Sequence, residues 1–274
     1  MPSLGSYLPV AGGNLYLEVT GDGSPVVLIH GFGLDRRMWD DEAERLALRY
    51  LVVRYDLRGF GKSSLPTGPS SHESDLRAVL AHLGIGSAHL VGLSLGGAIA
   101  IDFALLHPEH VRSLVVVDSF ITGYSWKNDG DIMRAPWRIG RLQGIEAARA
   151  SCLASPLFAP ALTMPRTARR LREMVADYSG WHWVNDDPHQ PPDAPAITRL
   201  QDVRAETLIL IGELDLADFH DIAKRLEREV PRARRLVLPG VGHMSNMEAP
   251  DAFADTLAAF LDGIGQSTSP QSPA

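Results

Sequence analysis

The chain has 274 residues, with 26 lysines and arginines against 33 aspartates and glutamates, for a formal charge of −7. That balance, with no basic stripe, opposes nonspecific nucleic-acid binding by phosphate neutralisation. A single cysteine, Cys152, excludes an internal disulfide and a cysteine-ligated zinc site, and it is expected to be a small core residue.

In chain order, Ser6 to Val10 and Asn14 to Thr20, around Gly12 and Gly13, predict a hairpin. Short apolar runs follow at Val26 to His30, Leu51 to Tyr55, His89 to Val91, Leu114 to Val117, Leu208 to Ile211 and Leu236 to Leu238. Most are continuously apolar, as strands covered on both faces are. Helical stretches lie between several of them: Ser74 to Leu83, Ala98 to Leu106, His220 to Val230 and Ala252 to Leu261. This alternation predicts a mostly parallel, doubly wound α/β sheet with an antiparallel edge.

The rhythm breaks between Phe120 and Ala196, where helical patterns at Gly144 to Ala154 and Pro165 to Tyr178 take over. This stretch holds Trp126, Trp137, Trp181 and Trp183 and ends in the proline-rich run Asp187 to Pro195, a linker back to the sheet. The expected organisation is a core of residues 1–119 and 197–265, a helical cap insertion at 120–196, and a disordered tail at 266–274. Arg166, Arg169, Arg170 and Arg172 are spaced like the solvated face of one helix. The segment Met1 to Val10 lacks the pattern of a secretion signal, and no run approaches the roughly 18 apolar residues that span a bilayer, so a soluble cytoplasmic protein is expected.

The chemistry concentrates at strand ends. Gly92-Leu93-Ser94-Leu95-Gly96 lies between an apolar run and a small-residue run, the pattern of a strand-to-helix turn that forces a serine hydroxyl out of the backbone. Asp215 lies just past Leu208 to Ile211, and His243 follows Leu236 to Leu238, each at a strand's carboxyl end. Asp218, three residues on from Asp215, and Asp118, at the end of an earlier strand, compete with Asp215 as the acid. Two other motifs fail. Gly61-Lys62-Ser63 lacks the first glycine of a phosphate loop, since Asp56 stands there, and Gly31-x-Gly33 has Arg36 where a dinucleotide fingerprint needs glycine or alanine. No closely spaced histidine cluster suggests a metal, and no cofactor is implied.

The elbow and the order serine, acid, histidine make the chain resemble the α/β-hydrolase superfamily over about 200 residues of core, with the insertion in the usual cap position. His30-Gly31-Phe32-Gly33 resembles the family's oxyanion loop, Asp56 to Ser63 its turn after the next strand, Gly212 to Asp215 its acid loop, and Gly242-His243 its histidine loop. The resemblance implies Ser94 as nucleophile, His243 as base, Asp215 as the acid that orients it, and the backbone amides of Phe32 and Leu95 as oxyanion donors. It also implies structural roles for His30, Asp56 and Arg58. His72, His107 and His220 are expected at the surface or in packing. A serine at the elbow excludes the aspartate-nucleophile chemistry of haloalkane dehalogenases and epoxide hydrolases.

The implied function is hydrolysis of small, largely apolar carboxylic esters or lactones through an acyl-enzyme, similar to that of small bacterial carboxylesterases and enol-lactonase-like members. Carbon–carbon bond hydrolysis, thioester hydrolysis, and a small-molecule receptor with little turnover are the alternatives. The tryptophans of the insertion and Phe120 are candidates for the pocket wall. Trp181 and Trp183, two apart, cannot both face one cleft from a helix.

Overall fold

The computed structural model describes residues 4–267. Eight strands form one sheet: β1 (Leu4–Val10), β2 (Gly13–Thr20), β3 (Ser24–Ile29), β4 (Tyr50–Tyr55), β5 (Ala88–Leu93), β6 (Val111–Val117), β7 (Glu206–Gly212) and β8 (Ala233–Leu238). Their spatial order is β1-β2-β4-β3-β5-β6-β7-β8. β1 pairs antiparallel with β2 and β2 antiparallel with β4, while every later pairing is parallel. The hairpin therefore extends one edge of a parallel sheet, as its sequence predicts.

Continuous apolar runs are required where a strand is covered on both faces. β5 at the centre is buried along its whole length. β8, at the edge, carries alternating exposure, and Leu236 and Val237 remain 42% and 44% exposed. Helix α1 (Asp40–Leu46) packs with α11 (Pro250–Ser267), and α2 (His72–His82) packs with α3 (Leu95–Leu106). Helix α9 (Ala217–Glu229) covers β7 and β8. Helix α11 runs past the predicted end at Leu261 to Ser267. The rest of the expected tail lies outside the described residues.

Between β6 and β7 the chain forms α4 (Gly130–Gln143), α5 (Ile145–Leu153), α6 (Ala159–Thr163), α7 (Pro165–Asp177) and α8 (Trp181–Val184). A final short helix, α10 (Ser245–Glu248), follows β8. Among the described residues, no helix is long and apolar enough to cross a membrane.

Polar clamps fix the inserted helices to the sheet. Thr122 Oγ1 donates to Asp102 Oδ1 at 2.9 Å and accepts from the Ala196 amide at 2.8 Å, closing the two crossings of the insertion. Arg170 donates to Asp41 on α1 at 2.8 Å and to the Arg37 carbonyl at 2.7 Å, and Arg166 donates to Asp41 at 2.6 Å. Two of the four arginines expected on a solvated face are thus a brace between α7 and α1. Arg166, Arg169 and Arg172 stay exposed, as expected of a solvated face, and Arg170 is partly buried because Asp41 faces α7 from a part of the chain far away in sequence.

Candidate active site

Ser94 sits between β5 and α3 with φ 54° and ψ −113°, a conformation that L side chains rarely adopt. The turn is possible because its flanks are glycines. A Cβ at position 92 would lie 2.1 Å from the Gly96 carbonyl oxygen, and one at position 96 would lie 2.2 Å from that of Ile29. The Ser94 amide donates to the Val117 carbonyl at 2.9 Å, tying the turn to the end of β6. The hydroxyl lines a cavity under α4, α5 and α8.

His243 lines the same cavity. Its Nδ1 lies 3.0 Å from Asp215 Oδ2, with the side chains 2% and 0% exposed respectively. Phe219 packs on the imidazole at 4.6 Å between ring centroids. The loop is held from behind by Glu248, whose carboxylate accepts from the Gly242 amide at 2.7 Å and the Met244 amide at 3.1 Å. Burial raises the pKa of Glu248. Sequence reasoning missed Glu248, because nothing in its spacing distinguishes it from a surface carboxylate on a short helix.

The competing acids have other partners. Asp218 accepts from the amides of Lys127, Asn128 and Asp129 at 3.1, 2.9 and 2.8 Å and from the Tyr124 hydroxyl at 2.9 Å. Against the penalty of burial, these bonds hold its pKa below the usual carboxylate value. Asp218 therefore anchors the start of the insertion. Asp118 accepts from the Gly212 amide at 2.7 Å and pairs with the Ser245 hydroxyl at 2.5 Å.

On the other side of Ser94, the loop after β3 carries Phe32. His30 is fully buried; its Nε2 accepts from the Leu57 amide at 2.9 Å, so Nδ1 carries the proton donated to the Gly31 carbonyl at 2.8 Å. Burial lowers its pKa, so this imidazole is a neutral brace between two loops. Asp56 accepts from the amides of Arg36 and Lys62 and from the Arg36 guanidinium, while Arg58 pairs with Asp75 at 2.6 Å. The Phe32 ring meets Phe60, Trp137, Tyr178 and His182 at 4.5 to 5.9 Å, so the inserted helices grip this loop directly.

The cavity has a volume of about 60 Å³. Of the candidate wall aromatics, Trp137 and Trp183 line it, and Phe120, Trp126 and Trp181 do not. Trp126 instead packs on Phe219 at 5.5 Å, Trp181 lies against the outer side of His182, and Phe120 packs partly buried against the core. The remaining wall comes from side chains that sequence reasoning did not single out, chiefly Ile132, Met133 and Pro136 of α4 with Leu157 and Phe158. Cys152 is buried as expected, yet it also lines the cavity, and burial pushes its thiol up to about 12. No lysine or arginine stands among the lining residues. Among the described residues no group of histidine, cysteine and carboxylate side chains could hold a metal.

His72 packs at 4.3 Å on His189, His107 at 4.9 Å on Phe103, and His220 Nε2 lies 3.1 Å from the Glu213 carbonyl. None of the three lines the cavity.

Residues 24–250 match the family model of the α/β hydrolase fold. The chain is 30% identical over 261 residues to a candidate carbamate hydrolase, RutD, of Azorhizobium caulinodans, covering 92% of this chain and 97% of that protein. It is 27% identical to the pimeloyl-[acyl-carrier protein] methyl ester esterase of Yersinia enterocolitica, over 90% of this chain and 96% of the other. Among solved structures, a thermophilic esterase from Thermogutta terrifontis superposes with a TM-score of 0.80 at 27% identity, covering 96% of this chain and 99% of that one.

Proposed function

The chain belongs to the α/β-hydrolase family, and from that premise we propose that it is a serine hydrolase cleaving carboxylic esters or lactones of small, largely apolar substrates. The observation that carries this proposal is the Asp215–His243 pair opening, with the strained Ser94, into one apolar cavity. In this proposal His243 takes the Ser94 proton as the hydroxyl attacks the acyl carbon, then returns it to the leaving alcohol. Water repeats the cycle to free the acid. Asp215 fixes the imidazole tautomer with Nδ1 protonated and Nε2 toward the serine.

The Leu95 amide begins α3, where no carbonyl one turn earlier competes for it, and the Phe32 amide lies on the facing loop. Together they stabilise the oxyanion, each contributing on the order of a hundredfold in rate. The apolar wall without lysine or arginine favours uncharged acyl and alcohol groups, since a carboxylate buried there would find no partner. The esterases among the similar proteins support ester bonds as the target.

Steady multiple turnover of p-nitrophenyl acetate or butyrate, lost by at least about a thousandfold in Ser94→Ala, is the expected result. A single slow turnover with tight retention of the ligand would instead make the protein a receptor.

A further inference from the structure

Helices α4 and α5, joined by Gly144, form a groove between them. Ile132, Ala135 and Ile139 of α4 line one side at the spacing i, i+3, i+7, and Ala147, Ala150 and Ala154 repeat that spacing along α5 to its C-cap. Side chains so spaced share one face of a helix, so each helix turns an apolar stripe toward the groove. All six remain partly or fully exposed. The alanines end at Cβ and leave the groove open, with a volume of about 710 Å³.

The groove adjoins the cavity at Ile132 and Ser155, which line both. The cavity itself has only about 60 Å³, where one water takes roughly 10–15 Å³, so it has room for a short acyl group and a longer part of a substrate must extend beyond it.

The junction lies on the side of the proposed base. Asp129, just before α4, accepts from the Asp218 amide at 2.8 Å, and Phe219, the next residue of α9, packs on His243. Five residues after Ser155, Pro160 lies over the histidine loop, since a Cβ at position 242 would come within 2.7 Å of its ring. Farther along α4, Trp137 packs on Phe32 at 4.5 Å, so the helix runs from the histidine side of the cavity to the oxyanion-loop side. In the proposed reaction His243 returns its proton to the leaving alcohol, which therefore lies toward Ile132 and Ser155.

We propose that the groove between α4 and α5 binds the alkyl chain of the leaving alcohol, which makes the substrates esters of a short acid with a medium-length alcohol. From Ile132 to Gln143 the groove follows roughly 16 Å of helix, enough for an octyl chain. Its one charged side chain, Asp131, opposes an anionic occupant.

The proposal rests on the serine-hydrolase reading for the orientation of the ester, and its binding test stands apart from that reading. In the kinetic arm, octyl acetate and ethyl octanoate are isomers that differ in which side of the ester carries the chain. The enzyme should prefer octyl acetate by about tenfold or more in kcat/KM. Ala150→Trp, at an exposed position outside the cavity wall, should lower kcat/KM for octyl acetate by about tenfold and leave ethyl acetate within about twofold of the parent. Equal rates for the isomers, a preference for ethyl octanoate, or equal losses on octyl and ethyl acetate in Ala150→Trp would each overturn the proposal.

In the binding arm, the unsubstituted protein carries carbon-13 on its isoleucine methyl groups and is titrated with 1-octanol or with ethanol. Ile139 lines the groove and not the cavity, so octanol should move the signals of both Ile132 and Ile139, whereas ethanol should leave Ile139 unmoved. An Ile139 signal that octanol does not move would overturn the proposal, whether or not the variant folds. If no ester is hydrolysed while octanol still moves Ile139, the serine-hydrolase reading fails and the groove stands as a site for an alkyl alcohol.

Discussion

His243 faces Asp215, while Asp218, three residues further along the chain, points its carboxylate at the backbone of residues 127–129. The two aspartates are chemically identical and nearly adjacent, so sequence spacing alone cannot assign them. The division follows from α9 beginning at Ala217, which leaves Asp215 in the loop and puts Asp218 in the first turn of the helix. Asp215→Asn should therefore cost about a thousandfold or more in kcat/KM through loss of the imidazole tautomer, whereas Asp218→Asn should cost less than about tenfold. Steady-state kinetics on both variants check this, and the reverse ranking would move the acid role to Asp218. Ser94 and His243 were legible because glycines and strand ends mark them. Glu248 was not, because a buried carboxylate is defined by which amides fold around it.

Among the elements, the parallel strands were legible because burial on both faces demands unbroken apolar runs. Helix α4 was missed although it supplies most of one wall of the cavity; it carries Pro136 and Gly140 inside it, two signals that argue against a helix until packing overrides them. Helix α1 is short, and it buries Glu42, whose Oε1 has no hydrogen-bond partner and whose Oε2 accepts weakly from Asn246 of α10 at 3.4 Å. Burial lifts Glu42 to about 8.

The folded protein thus holds a proton on Glu42 that the unfolded chain releases near the ordinary carboxylate value. Stability from this group is fully present below about pH 4.5 and falls as pH rises towards about 8. Glu42→Gln removes the titration, so its stability relative to the parent should rise by on the order of 3 kcal/mol between about pH 5 and pH 8. Urea denaturation at the two pH values measures this. A difference that stays constant between them would mean that Glu42 does not hold a proton in the folded protein.

For the molecule as a whole, the cavity forms where the inserted helices meet the carboxyl ends of the strands. That junction was the least legible part of the sequence. Four tryptophans marked the insertion, but only the docked helices decide that Trp137 and Trp183 face the cavity while Trp126 and Trp181 face elsewhere. Met133 of α4 lines the same wall, so Met133→Trp should lower kcat/KM for p-nitrophenyl butyrate by about tenfold more than for the acetate, while Trp181→Ala leaves the ratio unchanged. Equal effects of Met133→Trp on the two esters would place the acyl group elsewhere. The most direct test of Ser94 as the nucleophile is peptide mass spectrometry after exposure to a fluorophosphonate. The proposed mechanism predicts one adduct, on Ser94, that is lost when His243 is replaced by alanine; an adduct on another residue, or none while esters are still being hydrolysed, would contradict it.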